Sequence, residues 1–208
     1  WDAGNKCHVV LDIGVRDSTS LIFYQTYGAI IRVIDCYESS KEGLEHYVNV
    51  IKSKPYTYGK FVAPHDIKVK EWGSGITRWD KAKQLGVTFT ICKDHSIVDG
   101  IEEVRSKLSI MYIDSLKCAP LLKALENYRQ EYDAKNRVYK PHPLHSWASH
   151  YADAMRYLCV SLSQVRDDSS SEATNRILSA DGLDFRVQPF STAILGYDTT
   201  GQRWHILR

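Results

Sequence analysis

No stretch of this chain is apolar for the roughly 20 residues that a membrane-spanning helix needs, so nothing in it reads as a membrane protein. No signal peptide is visible at its start. Paired cysteines are missing: the five present, Cys7, Cys36, Cys92, Cys118 and Cys159, are scattered, odd in number and never spaced CxxC. That excludes the usual zinc-site spacing and a disulfide framework. Most sit in apolar runs and read as reduced, buried thiols of a cytosolic protein. A strong charge of either sign is also lacking. The net charge is +2, so affinity for nucleic acid has to come from a local basic patch. No internal repeat is visible. What remains is an ordinary globular composition, 43% hydrophobic over 208 residues, which suits one domain with a sizeable core. The first residue is Trp1, so a piece of a longer chain is expected.

Hydrophobic patterning gives the order of elements. Residues 7–13, 19–25 and 29–37 read as three strands joined by short turns, an antiparallel meander. In the first, His8, Val10 and Asp12 share one face, and Val9, Leu11 and Ile13 the other. A helix is expected over 44–54, with Leu44, Tyr47, Val48 and Ile51 inward and Pro55 as its stop. Further strands are expected at 60–65 and 87–92, with a short edge strand at 111–114 and a possible one within 136–143. Further helices are expected at 80–85, 97–108 and 119–132. Between Ile67 and Trp79 lies a loop with hairpin potential, carrying Lys68, Lys70, Gly73, Gly75 and Arg78. The whole reads as an α/β fold with a mixed central sheet, an antiparallel meander plus parallel strands, flanked by helices. The first strand belongs near its middle. Residues 1–163 form the expected domain, and residues 164–208 a linker and tail.

The stretch Ser146 to Val160 organises the rest. Trp147, Tyr151, Ala154, Leu158 and Leu162 recur at steps of 3 and 4, which makes a buried helical stripe. His150, Asp153 and Tyr157 repeat along one flank. A carboxylate at the edge of a buried face needs a partner. Asp12 ends the central strand, and Asp66 follows the strand at 60–65. Ligand sites in open α/β sheets gather at such strand ends. Three carboxylates from three elements would make a hard-oxygen site suited to Mg²⁺ or Mn²⁺. Two such ions can clamp the attacking and leaving oxygens of a phosphodiester.

Each acid also has a plainer reading. Asp12 could shape the turn before Gly14, Asp66 could cap a loop, and Asp153 could be a solvated rim aspartate. His150 alone is better read as a hydrogen-bonded core-edge residue than as a ligand, and zinc held by His142, His145 and His150 is disfavoured. Asp17, Asp35 and Glu38 are spare acids, better read as solvated loop residues. Arg156 lies three residues after Asp153, so an intrahelical salt bridge is its plain role.

Six segments, in order, carry a family resemblance: LDIG (Leu11 to Gly14), VIDCYE (Val33 to Glu38), GLEHYVNVIK (Gly43 to Lys52), APHD (Ala63 to Asp66), VDGIEEVR (Val98 to Arg105) and SWASHYADAMRYL (Ser146 to Leu158). With these the chain resembles the C-terminal nuclease domain of the large terminase subunit of tailed double-stranded DNA bacteriophages, nearest the P22-like headful-packaging type. The resemblance covers about residues 7 to 160. It implies an RNase H-like fold and a metal-dependent endonuclease that cuts concatemeric viral DNA with two Mg²⁺ or Mn²⁺ ions. It implies Asp12, Asp66 and Asp153 as catalytic, metal-holding acids. His65, His150 and Asp17 are candidates to support them from behind. Lys68, Lys70, Arg78 and Arg156 are candidates for DNA phosphate contact. The implied partners are duplex DNA, an N-terminal packaging ATPase domain of the same polypeptide, the portal protein and the small terminase subunit. The implied place is the host cytoplasm, on a packaging motor that the mature virion does not retain. That ATPase is absent here, with neither a P-loop G-x-x-x-x-G-K-[ST] nor a Walker B acid pair in the chain. The last 45 or so residues have no match in the resemblance; tails of this family are associated with portal docking.

Other readings stay open from the residues alone. Another RNase H-like nuclease, of resolvase or transposase type, would use the same acids. An actin-like nucleotide module would use DIGVRDST as a phosphate loop, but GYDTTG near Asp198 is its only second loop and comes too late. A non-catalytic DNA clamp or capsid-docking module would need none of the acids for chemistry.

Overall fold

The computed structural model describes residues 1–14, 18–70, 75–169, 192–198 and 203–207, with side chains through Ser163. Asp17, Gly73 and most of the expected tail therefore lie outside the described residues.

The meander forms as the patterning predicts. Strands β1 (Cys7–Asp12), β2 (Ser18–Tyr27) and β3 (Ile30–Ser40) pair antiparallel in sequence order. Helix α1 (Leu44–Ser53) buries Leu44, Tyr47, Val48 and Ile51 and stops before Pro55. The chain then enters β4 (Tyr58–Ala63) beside β1, parallel to it. A 3-10 turn over His65–Lys68 follows. Helix α2 (Arg78–Gln84) is capped by Thr77, whose hydroxyl accepts from the Asp80 amide. Strand β5 (Phe89–Ile91) extends the parallel pairing from β4. Helix α3 (Ile97–Lys107) starts at Ser96, which accepts from the Asp99 amide. Strand β6 (Met111–Asp114) runs parallel to β3, and α4 (Ala119–Asn127) follows it.

Three expectations change here. The helix expected over 119–132 ends at Asn127, because β7 (Gln130–Asp133) and β8 (Val138–Pro143) pair in a separate two-stranded hairpin. Turn chemistry wins over helix propensity: Asp133 Oδ1 accepts from the amides of Lys135 and Asn136, and Arg137 takes a positive φ of 54°. The hairpin expected between 67 and 79 is reduced, among the described residues, to one antiparallel bridge between Lys70 and Thr77. The final helix, α5 (Ser149–Ser169), begins three residues late and continues to Ser169, into the stretch expected to be a linker.

Strands β9 (Thr192–Asp198) and β10 (Arg203–Leu207) form an antiparallel pair beyond β6, so β6 is no edge strand. The sheet order is β10-β9-β6-β3-β2-β1-β4-β5, which places β1 inside it. One face packs against α3, α4 and α5 through Val10, Ile22, Val33, Leu121, Ala154 and Leu158. The other packs against α1 and α2 through Val9, Leu11, Phe23, Val48, Ile51 and Ala82. Alternation along β1 thus sends even-numbered side chains toward α5. Each large apolar side chain buried this way contributes roughly 1.5–3 kcal/mol. All five cysteines are buried and free. Among the described residues, no helix is long and apolar enough to cross a membrane.

Candidate active site

The site is set by the parallel pairing of β1 with β4. Val9 lies opposite Phe61 and Val10 opposite Val62, so both strands end at the same edge of the sheet. Asp12 is the last residue of β1, and Asp66 lies in the turn just beyond β4. Helix α5 crosses the face that carries Val10, the face Asp12 shares. His150, Asp153 and Tyr157 form a half-buried flank beside the fully buried Ala154 and Leu158. Three elements thereby bring Asp66 and Asp153 within electrostatic reach of Asp12.

The charges record this closeness. Asp12 is only 9% exposed. Burial drives its carboxyl well above the usual carboxylate range, the charges of Asp153 and Asp66 push further, and Arg156 opposes them. Asp66 is also raised by burial, against the pull of His65 and Arg78. Its Oδ1 is buried with no hydrogen-bond partner among the described residues. Asp153 is better compensated: its Oδ1 accepts from Arg156 Nη2 at 2.7 Å and from Nε at 3.3 Å.

Arg156, expected among the phosphate contacts, is instead buried and serves as the ion-pair partner of Asp153. Its guanidinium also lies over the Tyr157 ring, 5.7 Å from the centroid. Lys68 and Lys70 are exposed, two and four residues after Asp66 in the chain, whereas Arg78 is half-buried and its charge acts on Asp66. His65 is exposed next to Asp66. His150 packs edge-on to His145, with centroids 6.1 Å apart, at the start of α5. Trp147, expected to anchor the inward stripe, precedes the helix and is 52% exposed; its ring lies near Lys123.

Sequence patterning missed the wall behind these acids. Tyr157 lies in the fields of Asp12, Asp153 and Asp66, and its hydroxyl is pushed up chiefly by burial, then by Asp12. His95, beyond the end of β5, stacks edge-on to Tyr157 with centroids 5.6 Å apart. Its Nδ1 lies 2.8 Å from the Lys93 carbonyl, to which it can only donate, and its buried Nε2 has no partner among the described residues. A Cβ at Gly100 would stand 2.8 Å from His95 Cδ2 and 3.1 Å from Arg156 Cδ, so glycine permits this approach. One signal was available: β5 continues the parallel run β1-β4-β5, so its following loop opens at the same edge.

The donor set fits a hard divalent cation, because Asp12 is a buried carboxyl in the field of two other acids and the Oδ1 of Asp66 is buried with no hydrogen-bond partner among the described residues. No group of three or more His, Cys, Asp or Glu among the described residues is drawn together tightly enough to hold an ion. The Asp153–Arg156 pair accounts for part of that, since it satisfies Asp153 within its own helix.

No family model matches the chain, and no curated protein matches it in sequence. Solved structures do. The nuclease domain of the P22 large terminase superposes with a TM-score of 0.58 at 16% identity, over 80% of this chain and 88% of that one. The nuclease domain of the bacteriophage SPP1 large terminase, solved with bound Mn, gives 0.54 at 20% identity, over 74% and 84%. The large terminase of a thermophilic bacteriophage gives 0.56 at 17% identity, over 76% of this chain and 40% of that one. The chain thus spans about 40% of the length of that thermophilic phage protein. At these identities the likeness is one of fold, and that fold is the RNase H-like fold of terminase nuclease domains.

Proposed function

We propose that this chain is the nuclease domain of a P22-like large terminase subunit, an endonuclease that cuts concatemeric double-stranded viral DNA during packaging. The observation that carries the reading is Asp12: a buried carboxyl at a strand end, raised by burial and then by Asp153 and Asp66, on this fold. Asp12, Asp66 and Asp153 are the residues that would hold Mg²⁺ or Mn²⁺, two ions in the expected scheme, which neutralise phosphate charge and activate water when bound. The chain's own groups prepare for this. Arg156 orients Asp153 and balances its charge. Tyr157 stands in the fields of the three acids, with His95 packed edge-on against its ring. Lys68 and Lys70 are exposed on the segment that follows Asp66, where they would meet phosphates without reading sequence. The packaging ATPase, portal protein and small terminase subunit would be its partners, and the host cytoplasm its place of action.

One observation favours a second reading, a non-catalytic DNA clamp or docking module: Asp153 is already satisfied by Arg156. Plasmid cleavage in Mn²⁺ separates the two. The wild-type chain is expected to nick and linearise plasmid, and folded Asp12→Asn and Asp153→Asn variants to lose that activity. Absence of cleavage by the wild type across Mg²⁺ and Mn²⁺, with DNA binding retained, would establish the clamp.

A further inference from the structure

Across the meander, Asp12 pairs with Ser20, and Ser20 pairs with Glu38. Directly opposed residues on neighbouring strands point to the same face of a sheet. Core membership identifies that face: Val10, Ile22 and Cys36, each two residues from a member of this row, all pack toward α5. Asp12, Ser20 and Glu38 therefore form one line on the α5 side, at the strand ends where Asp66 also lies. Their outer Cα atoms are about 10 Å apart, the sum of two cross-strand spacings. Two inward-leaning carboxylates with one small ion between them fill such a gap.

Ser20 supplies the independent sign of a ligand. It is 0% exposed, yet its Oγ has no hydrogen-bond partner among the described residues. Buried hydroxyls are nearly always satisfied, because leaving one unpaired is costly. This one stands midway between two carboxylates. Glu38, expected in a solvated loop, instead sits half-buried within β3. Carboxylate, hydroxyl and carboxylate in a row make an all-oxygen set, which suits a hard divalent cation and not a soft one.

We infer that Glu38 is a fourth acid of the site, and that Asp12, Ser20 and Glu38 together hold one divalent cation, with Asp12 shared between this position and the Asp66–Asp153 side. The inference rests on the nuclease reading of Asp12. It goes beyond that reading by extending the site from Asp12 across β2 and β3 to Ser20 and Glu38, residues outside the three aspartates.

The test is calorimetric titration of Mn²⁺ alone into the metal-free full chain, with circular dichroism confirming the fold of each variant. The wild type is expected to bind two ions. Glu38→Gln is expected to lose one of them or weaken it at least tenfold, Glu38→Asp to weaken it less, and Ser20→Ala to weaken it several-fold. Asp12→Asn is expected to impair both. A wild-type isotherm for folded Glu38→Gln, with binding lost in Asp12→Asn, would overturn the row and leave the nuclease reading standing. A wild-type isotherm for Asp12→Asn would overturn both, as would a wild-type chain that binds no Mn²⁺.

Discussion

Asp153 and Arg156 hold one another within a single turn of α5, the carboxylate Oδ1 accepting from Nη2 at 2.7 Å and from Nε at 3.3 Å. Arg156 is buried, so its guanidinium holds Asp153 in a fixed orientation before any cation arrives. The pair makes the state without metal habitable, and it sets what Asp153 has to exchange when metal binds.

Arg156→Met keeps the bulk of the side chain and removes the counter-charge. Without metal it is expected to destabilise the fold by about 1–3 kcal/mol, the cost of a carboxylate deprived of its charged hydrogen bonds. Mn²⁺ should restore much of the loss by linkage. Thermal melts with and without millimolar Mn²⁺ check this, and a variant equally unstable in both conditions would show that Arg156 acts through packing alone.

Asp153→Asn leaves the volume nearly unchanged. It is expected to lower plasmid cleavage by orders of magnitude in a chain that circular dichroism shows to be folded. Cleavage at the wild-type rate would make α5 a purely structural helix.

Asp12 gives a pH dependence of known sign. Its folded pKa is raised, by burial and then by Asp153 and Asp66, so the native state binds more protons than the unfolded chain across that window. Its contribution is fully present below the unfolded value of about 4 and is lost as pH rises through the folded value. Asp12→Asn should therefore gain metal-free stability over the wild type as pH increases from 4 toward neutrality. Paired denaturation curves across that range test this, and a pH-independent difference would contradict it.

Gly100→Ala sets a methyl group 2.8 Å from the His95 ring and 3.1 Å from Arg156 Cδ. Overpacking of this kind costs about 1–3 kcal/mol, against up to about 1 kcal/mol gained from helix propensity. Net destabilisation is expected, relieved when His95→Ala is added. A double-mutant cycle in urea measures the coupling, and additive changes would mean that His95 simply swings away.

Charge reversal at Lys68 and Lys70 is expected to weaken DNA binding regardless of sequence and to flatten its salt dependence, since both are exposed on the segment that follows Asp66. Fluorescence anisotropy with two unrelated duplexes over a salt series reads this out. An unchanged slope would remove the loop from the DNA path.

The sequence by itself determined the strands of the meander, the inward face of α1, and the acids Asp12, Asp66 and Asp153 as candidates. Each rests on local periodicity or on a residue's position at the end of an apolar run, both of which are properties of neighbours in the chain. Tertiary structure decided the rest. Trp147 fits the helical stripe in spacing, yet α5 begins after it and leaves it exposed. Asp35, read as a solvated loop acid, is buried in β3, where it accepts from Lys54 Nζ at 2.7 Å and Tyr56 Oη at 3.0 Å. Nothing near it in sequence announces partners 19 and 21 residues away. Arg156 offered two roles, and burial chose between them. The row from Asp12 through Ser20 to Glu38 exists only because of strand register, and register is fixed by which faces of β1, β2 and β3 the helices bury. Periodicity tells which side of an element is apolar; only the packed sheet decides which polar groups those sides bring together.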